Sequence, residues 1–333
     1  MKVYNWKDRP IKVYGIPFFD KTHKAERLPE DIRKQIPSLE FLGRRCSGAR
    51  VAFKTNSEKF TVKIKLETFN VDIGMSIYAC QSGVVMIGNR QNPFFAGLVN
   101  PKEYGQKEYE REFTKTNQLE DVTIYLPRNE VIEDVEILIE DDASILAPTP
   151  YTHGPVLFYG SSITEGGCCT KVTNSYVTLL SDRLDFDFYN FGFSGNAKGE
   201  LEIADYINTI EKTIFVYDYD HNAPDLEHLR ATHEPFFKRI RNKNPEMPII
   251  IMSKPDFEYG EDNALRRDII KQTYNAAVEI GDKNVYFIDG EKFFGENERH
   301  LCTVDTCHPN DLGFYRIAEK IEPIISKILK KQA

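Results

Sequence analysis

Two short stretches in the second half of the sequence carry residue types that could together perform acyl transfer. Residues 160–162 (Gly-Ser-Ser) end an apolar run, and residues 305–310 (Asp-Thr-Cys-His-Pro-Asn) lie near the C-terminal end. A serine hydroxyl becomes a nucleophile when an imidazole removes its proton, and the imidazole needs a carboxylate to fix its tautomer. Asp305 precedes His308 by three residues, which lets its carboxylate turn toward the ring. The two stretches predict a site built on Ser162, His308 and Asp305.

Two further segments supply the hydrogen-bond donors that a tetrahedral oxyanion needs. Residues 190–196 contain Gly195, and residues 217–224 contain Asn222. The available donors are the backbone N–H groups of Ser162 and Gly195 and the side-chain amide of Asn222. Each such donor is worth roughly 3–4 kcal/mol in the reaction barrier. Gly195 has no Cβ, so the backbone there could approach a substrate closely.

These segments each follow a predicted strand, in a part of the chain where strand and helix patterns alternate. The predicted strands are 156–160, 186–190, 213–218, 248–253 and 285–289, and the predicted helices are 174–184, 199–210, 226–242, 263–281 and 310–330. Alternating units of this length predict a parallel sheet covered by helices on both faces. All four segments then share the carboxyl edge of the sheet, where open α/β sheets bind their ligands.

The first half of the chain has a different pattern. Residues 1–45 are irregular apart from a helical turn at 29–36, and short runs with period two follow. The predicted strands are 51–55, 60–66, 75–80, 83–87, 108–114, 122–127 and 135–139. Such strands, separated by Asn, Gly and Pro, predict an antiparallel β-sandwich. A Pro-containing connector at 147–150 predicts a boundary between a domain of residues 1–148, with an irregular N-terminal arm, and a domain of residues 151–333.

The order Ser, Gly, Asn and then Asp-x-x-His resembles the SGNH (GDSL-type) hydrolase superfamily. The resemblance covers most of the second predicted domain and implies a flavodoxin-like three-layer α/β/α fold with a parallel sheet. It implies that Ser162 is the nucleophile and that His308 is the base, oriented by Asp305. It also implies that Gly195 and Asn222 join the backbone N–H of Ser162 in the oxyanion hole.

Residues 194–200 and 218–224 resemble a subgroup that has an N-terminal β-sandwich of jelly-roll type and that includes two-domain carbohydrate acetyl esterases. The chain departs from the superfamily pattern twice. Gly-Ser-Ser replaces the usual Gly-Asp-Ser, which makes Ser161 an alternative nucleophile, although the register of the motif favours Ser162. Asn222 lies in His-Asn-Ala-Pro, where Gly-x-Asn-Asp is usual.

Several polar residues near these segments have competing interpretations. His221 could act as the base with Asp218 or Asp220, although the spacing favours His308. Asp218 and Asp220 could bind a cation, and the alternative is that they support their own loop. Glu165 could line the pocket or cap the start of a helix.

Six aromatic residues of the first predicted domain could line the substrate site. The alternative, which we favour, is that they pack between the sandwich and its N-terminal arm, because their spacing does not distinguish stacking on a sugar from packing in a core. The sandwich could itself bind carbohydrate, although such folds serve many roles. These residues are Trp6, Tyr14, Phe18, Phe19, Phe94 and Phe95.

Composition and charge limit the classes of partner that the protein can have. The formal net charge of -8 argues against a nucleic acid or an anionic membrane as partner. The first residues lack the apolar core of a signal peptide, so we expect a cytoplasmic location. The cysteines show no CxxC spacing, which predicts free thiols and no metal site. These cysteines are Cys46, Cys80, Cys168, Cys169, Cys302 and Cys307.

Together these features predict a serine esterase. The resemblance to carbohydrate acetyl esterases implies that it hydrolyses short-chain acyl esters, acetyl esters above all, on sugars or oligosaccharides. The mechanism requires no metal and no organic cofactor. One alternative is a lysophospholipase or thioesterase with the same triad, and another is a non-catalytic carbohydrate-binding protein. The natural ester and the oligomeric state, including assembly as a homo-oligomer, stay open.

Overall fold

The computed structural model describes residues 1–256 and 260–332. Ala333, the last residue of the second predicted domain, lies outside the described residues. In the described part, two antiparallel sheets occupy the N-terminal region and a parallel sheet occupies the C-terminal region. This arrangement confirms the predicted combination of a sandwich with an α/β domain.

The N-terminal strands form two sheets that pack face to face. One sheet has the order β1-β9-β4-β7, and the other has the order β10-β3-β8-β5-β6 with β2 beside β3. Side chains alternate along β4, so that Phe60, Val62 and Ile64 face the buried core between the sheets. The strands are β1 (Lys2–Asn5), β2 (Lys12–Tyr14), β3 (Arg50–Thr55), β4 (Lys59–Leu66), β5 (Gly83–Ile87), β6 (Phe94–Val99), β7 (Glu108–Thr114), β8 (Glu120–Tyr125), β9 (Ile132–Ile139) and β10 (Ile145–Leu146).

One predicted strand of this region is wrong. Residues 75–80, which were expected to be extended, instead lead into a helix, and the carbonyl of Ser76 accepts hydrogen bonds from the N–H groups of Ala79 and Cys80. The alternation of Met75, Ile77 and Ala79 imitates a strand. Ala79 is buried, whereas Ile77 is exposed, as expected for one turn of a helix lying on a surface.

The N-terminal arm connects the two regions through its packing. It contains α1 (Phe19–Thr22), α2 (Glu30–Gln35) and α3 (Glu40–Arg44), and α4 (Ile77–Gln81) follows β4. The helix α2 falls within the predicted turn at 29–36. Leu28, Ile36, Leu39 and Leu42 of the arm pack into the core of the C-terminal region. The division into domains at 147–150 therefore stays a prediction.

The C-terminal region is a three-layer α/β/α domain. Its parallel sheet has the order β12-β11-β13-β14-β15, which is the flavodoxin-like order 2-1-3-4-5. The strands are β11 (His153–Gly160), β12 (Phe186–Gly192), β13 (Ile214–Asp218), β14 (Ile249–Met252) and β15 (Val285–Ile288). The helices are α5 (Ser162–Glu165), α6 (Tyr176–Leu184), α7 (Leu201–Asn208), α8 (Leu226–Lys243), α9 (Glu261–Glu279) and α10 (Asp311–Gln332).

Both faces of the parallel sheet are buried, which explains its continuous apolar strands. Leu157 and Tyr159 of β11 face a cluster that includes α7, α8 and α9. Val156 and Phe158 face the opposite cluster, which includes α6 and α10. Among the described helices, none combines the length and apolar character needed to cross a membrane.

Candidate active site

Ser162 is the first residue of α5, directly after β11 ends. The turn between them depends on Gly160, because a Cβ at this position would lie 2.2 Å from an oxygen of Asp218 and 2.3 Å from Oγ1 of Thr164. The hydroxyl of Ser161 accepts a hydrogen bond from the N–H of Ile163 at 3.1 Å and caps the helix. Ser161 is completely buried, whereas Ser162 keeps some exposure.

A chain of hydrogen bonds joins Ser162 to the loop before α10. The Oγ of Ser162 lies 2.9 Å from Nε2 of His308, and Nδ1 of His308 lies 2.7 Å from Oδ2 of Asp305. The other oxygen of Asp305 accepts the N–H groups of Cys307 at 3.0 Å and His308 at 2.6 Å. Burial opposes ionisation of Asp305, but these hydrogen bonds outweigh it and lower the pKa of the carboxyl. The structure thus brings the three predicted residues together in the order that acyl transfer needs.

The tight loop that presents His308 is closed at its base. The N–H of Val304 donates to the carbonyl of His308 at 3.0 Å, and Thr303 and Pro309 form an isolated antiparallel bridge. Thr306, at the tip, has a left-handed φ of 68°. This conformation folds Asp305 back onto the ring of His308.

The segment after β12 places Gly195 near the start of α5. The N–H of Phe193 donates to the carbonyl of Gly160 at 2.9 Å, and the side-chain amide of Asn222 donates to the carbonyl of Phe193 at 3.0 Å. Gly195 has a φ of 68°, and a Cβ there would meet no atom within 4 Å. Within the described residues, the N–H groups of Ser162 and Gly195 donate to no other protein group. Both N–H groups are therefore available to a bound oxyanion.

The other polar residues of the edge have structural partners. Oδ1 of Asp218 accepts the Thr164 hydroxyl at 2.6 Å, and Oδ2 of Asp220 accepts the N–H of Lys254 at 2.9 Å. Nδ1 of His221 lies 3.7 Å from Sγ of Cys307, and burial lowers the pKa of His221 well below its usual value. In the part of the chain that the structure describes, no group of three His, Cys, Asp or Glu residues could hold a metal ion.

Glu165 does not cap the start of its helix, because it is the last residue of α5 and Ser161 provides the cap. It lines a small cavity together with Gly48 and Asn190. Its carboxylate is 3% exposed and pairs with Arg27 of the N-terminal arm at 3.2 Å. Sequence reasoning missed Arg27, because an arginine in an irregular segment carries no signal of burial. The signal available in the sequence was the apolar Leu28 next to it. The structure buries Leu28 completely.

The aromatic residues of the first region divide into two groups. Trp6 and Phe19 lie in the sandwich core, and Tyr14 packs against Tyr151 at a ring distance of 4.9 Å. Phe94 and Phe95 are exposed on β6, and Phe18 is exposed at the start of α1. Packing accounts for Trp6, Phe19 and Tyr14, as favoured from the sequence.

An apolar segment of the sandwich lies near Ser162. A Cβ placed on Gly167 would be 3.2 Å from Cε of Met75 and 3.5 Å from Cβ of Ser162. Met75 belongs to residues 71–78, in which Val71, Ile73, Ile77 and Tyr78 are exposed. We name these residues the apolar segment. The apolar segment was not predicted, because the pattern of residues 75–80 predicts a strand of the sandwich.

The parallel sheet in the order 2-1-3-4-5, preceded by two antiparallel sheets, matches the fold of a two-domain hydrolase of the SGNH type. Residues 153–326 match the model of the GDSL-like lipase/acylhydrolase family, and residues 1–145 match the N-terminus of SGNH-hydrolase-type esterases. The chain belongs to the GDSL-like lipase/acylhydrolase family and is a carboxylic ester hydrolase. The resemblance read from the sequence is confirmed.

Solved structures share this fold over nearly the whole chain. A protein from Bacteroides ovatus described as a GDSL-like lipase is 26% identical, with a TM-score of 0.88, and the match covers 99% of this chain and 98% of that one. The salicylyl-acyltransferase SsfX3 of a tetracycline biosynthetic pathway is 18% identical, with a TM-score of 0.79 and coverages of 98% and 97%. A family two carbohydrate esterase from Cellvibrio japonicus is 14% identical, with a TM-score of 0.66 and coverages of 100% and 99%. No curated protein matches the chain.

Proposed function

We propose that this protein is a serine esterase that hydrolyses short-chain acyl esters, acetyl esters above all, on sugars or oligosaccharides. The observation that carries the proposal is the hydrogen-bonded chain from Ser162 through His308 to Asp305, with distances of 2.9 and 2.7 Å. Such a chain activates a hydroxyl toward an ester carbonyl. A non-catalytic sugar-binding protein would have no use for all three groups in this order.

The geometry supports a two-step reaction. Oγ of Ser162 attacks the ester carbonyl while Nε2 of His308 takes its proton, and Asp305 stabilises the imidazolium. The N–H groups of Ser162 and Gly195 and the amide of Asn222 receive the oxyanion. The tetrahedral intermediate collapses, His308 gives its proton to the departing alcohol, and an acyl-enzyme remains. Water, activated by His308, then releases the acid by the same steps.

The two-domain fold supports a sugar ester as the substrate, because carbohydrate esterases are among the proteins that share it. Structures with this fold include a family two carbohydrate esterase and an acetyl xylan esterase from Butyrivibrio proteoclasticus, at 14% and 12% identity. At these identities the likeness concerns the fold, so the choice of an acetylated sugar is part of the proposal.

The apolar segment favours a second candidate, a lysophospholipase or thioesterase. Exposed Val71, Ile73 and Tyr78 belong to the same segment as Met75, which lies near Ser162, and they offer contact area to a long acyl chain. The proposal of a short acyl group and this candidate differ in the chain length that the enzyme prefers.

Hydrolysis of p-nitrophenyl acetate and p-nitrophenyl octanoate by the wild type, Ser162→Ala and Ser161→Ala tests the proposal. We expect faster cleavage of the acetate and a loss of at least about 10³-fold in kcat for Ser162→Ala. Ser161→Ala should lose stability, by about 1 kcal/mol for a helix cap, and keep its activity. Faster cleavage of the octanoate would favour the second candidate. An active Ser162→Ala would exclude Ser162 as the nucleophile.

A further inference from the structure

One buried carboxylate joins the helix of Ser162 to the loop of Gly195. Glu165 is the last residue of α5, three positions after Ser162. Its Oε2 accepts the hydroxyl of Ser194 at 2.7 Å and the N–H of Ser194 at 3.3 Å. Ser194 immediately precedes Gly195, so the carboxylate determines where the oxyanion donor lies relative to the nucleophile.

Arg27 of the N-terminal arm binds the other oxygen of the Glu165 carboxylate. Its guanidinium is completely buried and stacks on the ring of Phe193 at 4.6 Å. All five of its N–H groups have acceptors, which is the full capacity of the side chain. The acceptors are Oε1 of Glu165 at 3.2 Å and the carbonyls of Arg45 at 2.9 Å, Asn190 at 3.0 Å, Gly192 at 2.5 Å and Leu42 at 2.7 Å.

Charge and packing make this arrangement rigid. Burial raises the cost of ionising Glu165, but the guanidiniums of Arg27, Arg45 and Arg128 outweigh it and lower the pKa of the carboxyl. A Cβ on Gly192 would lie 2.1 Å from the backbone nitrogen of Glu165, so β12 and α5 are in direct contact. A buried ion pair contributes little net stability compared with an apolar pair of similar volume, so stability alone does not account for this pair.

We propose that Arg27 and Glu165 are positioning residues that hold Ser194, and through it the N–H of Gly195, at the oxyanion site. The inference rests on the proposed esterase function. Arg27 lies outside residues 153–326, the part that matches the hydrolase family. The N-terminal arm therefore contributes a buried side chain to the support of the oxyanion loop.

The sharpest test is Ser194→Ala, which removes one hydroxyl from the network and leaves the charges in place. Ser181→Ala is the control, because it removes a serine hydroxyl that donates to a backbone carbonyl, that of Phe186 at 2.6 Å. Ser181 is buried and Ser194 is half-buried, so the control carries at least as large a cost in stability. With p-nitrophenyl acetate we expect Ser194→Ala to lose about 10-fold to 100-fold in kcat, the effect of a misplaced reacting group, with KM within about twofold. Ser181→Ala should keep its kcat.

Two further measurements separate positioning from stability. The affinity for phenylboronic acid, which forms a tetrahedral adduct on the serine, should fall in Ser194→Ala in parallel with kcat. The pH profile of kcat/KM should keep its midpoint, because the contact between His308 and Asp305 is untouched. Glu165→Gln should lose more in kcat than Ser194→Ala, since it leaves the charge of Arg27 unpaired. If Glu165→Gln does not fold, Ser194→Ala still decides.

The outcomes distinguish this inference from the proposed function. A normal kcat in Ser194→Ala, or a loss no larger than that of Ser181→Ala, would overturn the positioning role while leaving the esterase intact. A wild-type protein that neither hydrolyses the acetate nor reacts with a serine-directed organophosphate would overturn both.

Discussion

Asp218 is a buried residue whose protonation makes the stability of the protein depend on pH. It ends β13 beneath α5, where its carboxyl accepts the hydroxyl of Thr164 and the backbone N–H of Ser161. Burial raises its pKa to about 7, well above the usual 3.8, although these hydrogen bonds oppose the shift. The native state therefore holds a proton that the unfolded chain gives up near pH 4.

The difference between the pKa of Asp218 in the native and unfolded states predicts how stability depends on pH. A raised carboxyl pKa contributes stability that is complete below about pH 4 and is lost as pH rises to about 7, with a slope of at most about 1.4 kcal/mol per pH unit. Asp218→Asn, which cannot ionise, should show a shallower fall than the wild type. Part of the fall should remain, because burial also raises the pKa of Asp182 to about 7. Thermal unfolding of both proteins from pH 4 to 8 measures it. Asp268→Asn, at an exposed position of α9, is the control and should follow the wild type. Parallel curves for Asp218→Asn and the wild type would contradict the linkage.

The sequence predicted residues whose partners are local or belong to a recognisable motif. Asp305 and His308 lie on one loop, and Ser162 follows a clear strand, so their proximity could be inferred from the α/β pattern. The contact between Arg27 and Glu165 spans 138 positions and joins an irregular arm to a helix of four residues. The periodicity of apolar residues does not predict such a contact, because the contact depends on how the N-terminal arm packs against the C-terminal region.

Among the strands, those whose side chains are most deeply buried were predicted best from the sequence. The five strands of the parallel sheet are covered on both faces, and their apolar runs located them within a few residues. The short strands β1, β2, β6 and β10 were missed. Their side chains are largely half-buried or exposed, as in β6, where only Val99 is fully buried. The apolar segment was misread because exposed apolar residues imitate a strand.

The apolar segment should affect long acyl chains and not short ones. Ile73 is fully exposed, so an acyl chain that covers it would gain roughly 1 kcal/mol, or about fivefold in kcat/KM. We expect Ile73→Ser to lower kcat/KM for p-nitrophenyl octanoate about fivefold and to leave the acetate unchanged. Ile280→Ser is the control, since Ile280 is exposed at the end of α9. An equal loss on both esters would mean that the segment contacts the alcohol part of the substrate.

At the scale of the whole molecule, polar side chains of the N-terminal half hold the two regions together. Arg50 of β3 is completely buried, stacks on the ring of Phe188 at 3.8 Å and donates to Asp187 of β12. The hydroxyl of Tyr125 donates to Asp182 of α6 at 2.7 Å. With Arg27, these contacts place buried charges across the interface, where separation would leave them without partners.

The interface should therefore make the two regions unfold together. We expect one calorimetric transition for the wild type. Arg50→Met leaves Asp187 without its partner, a loss of about 3–5 kcal/mol for a broken buried pair, which lowers Tm by roughly 4–7 °C when the whole chain unfolds as one unit. The control is Arg44→Met, because Arg44 pairs with Glu67 at the surface and such a pair is worth at most about 1 kcal/mol. Two transitions in the wild type, or equal Tm values for the two variants, would show that the regions are stabilised independently. Since Arg27 reaches the oxyanion loop through the same interface, coincident unfolding would also mean that the active site is lost when either region unfolds.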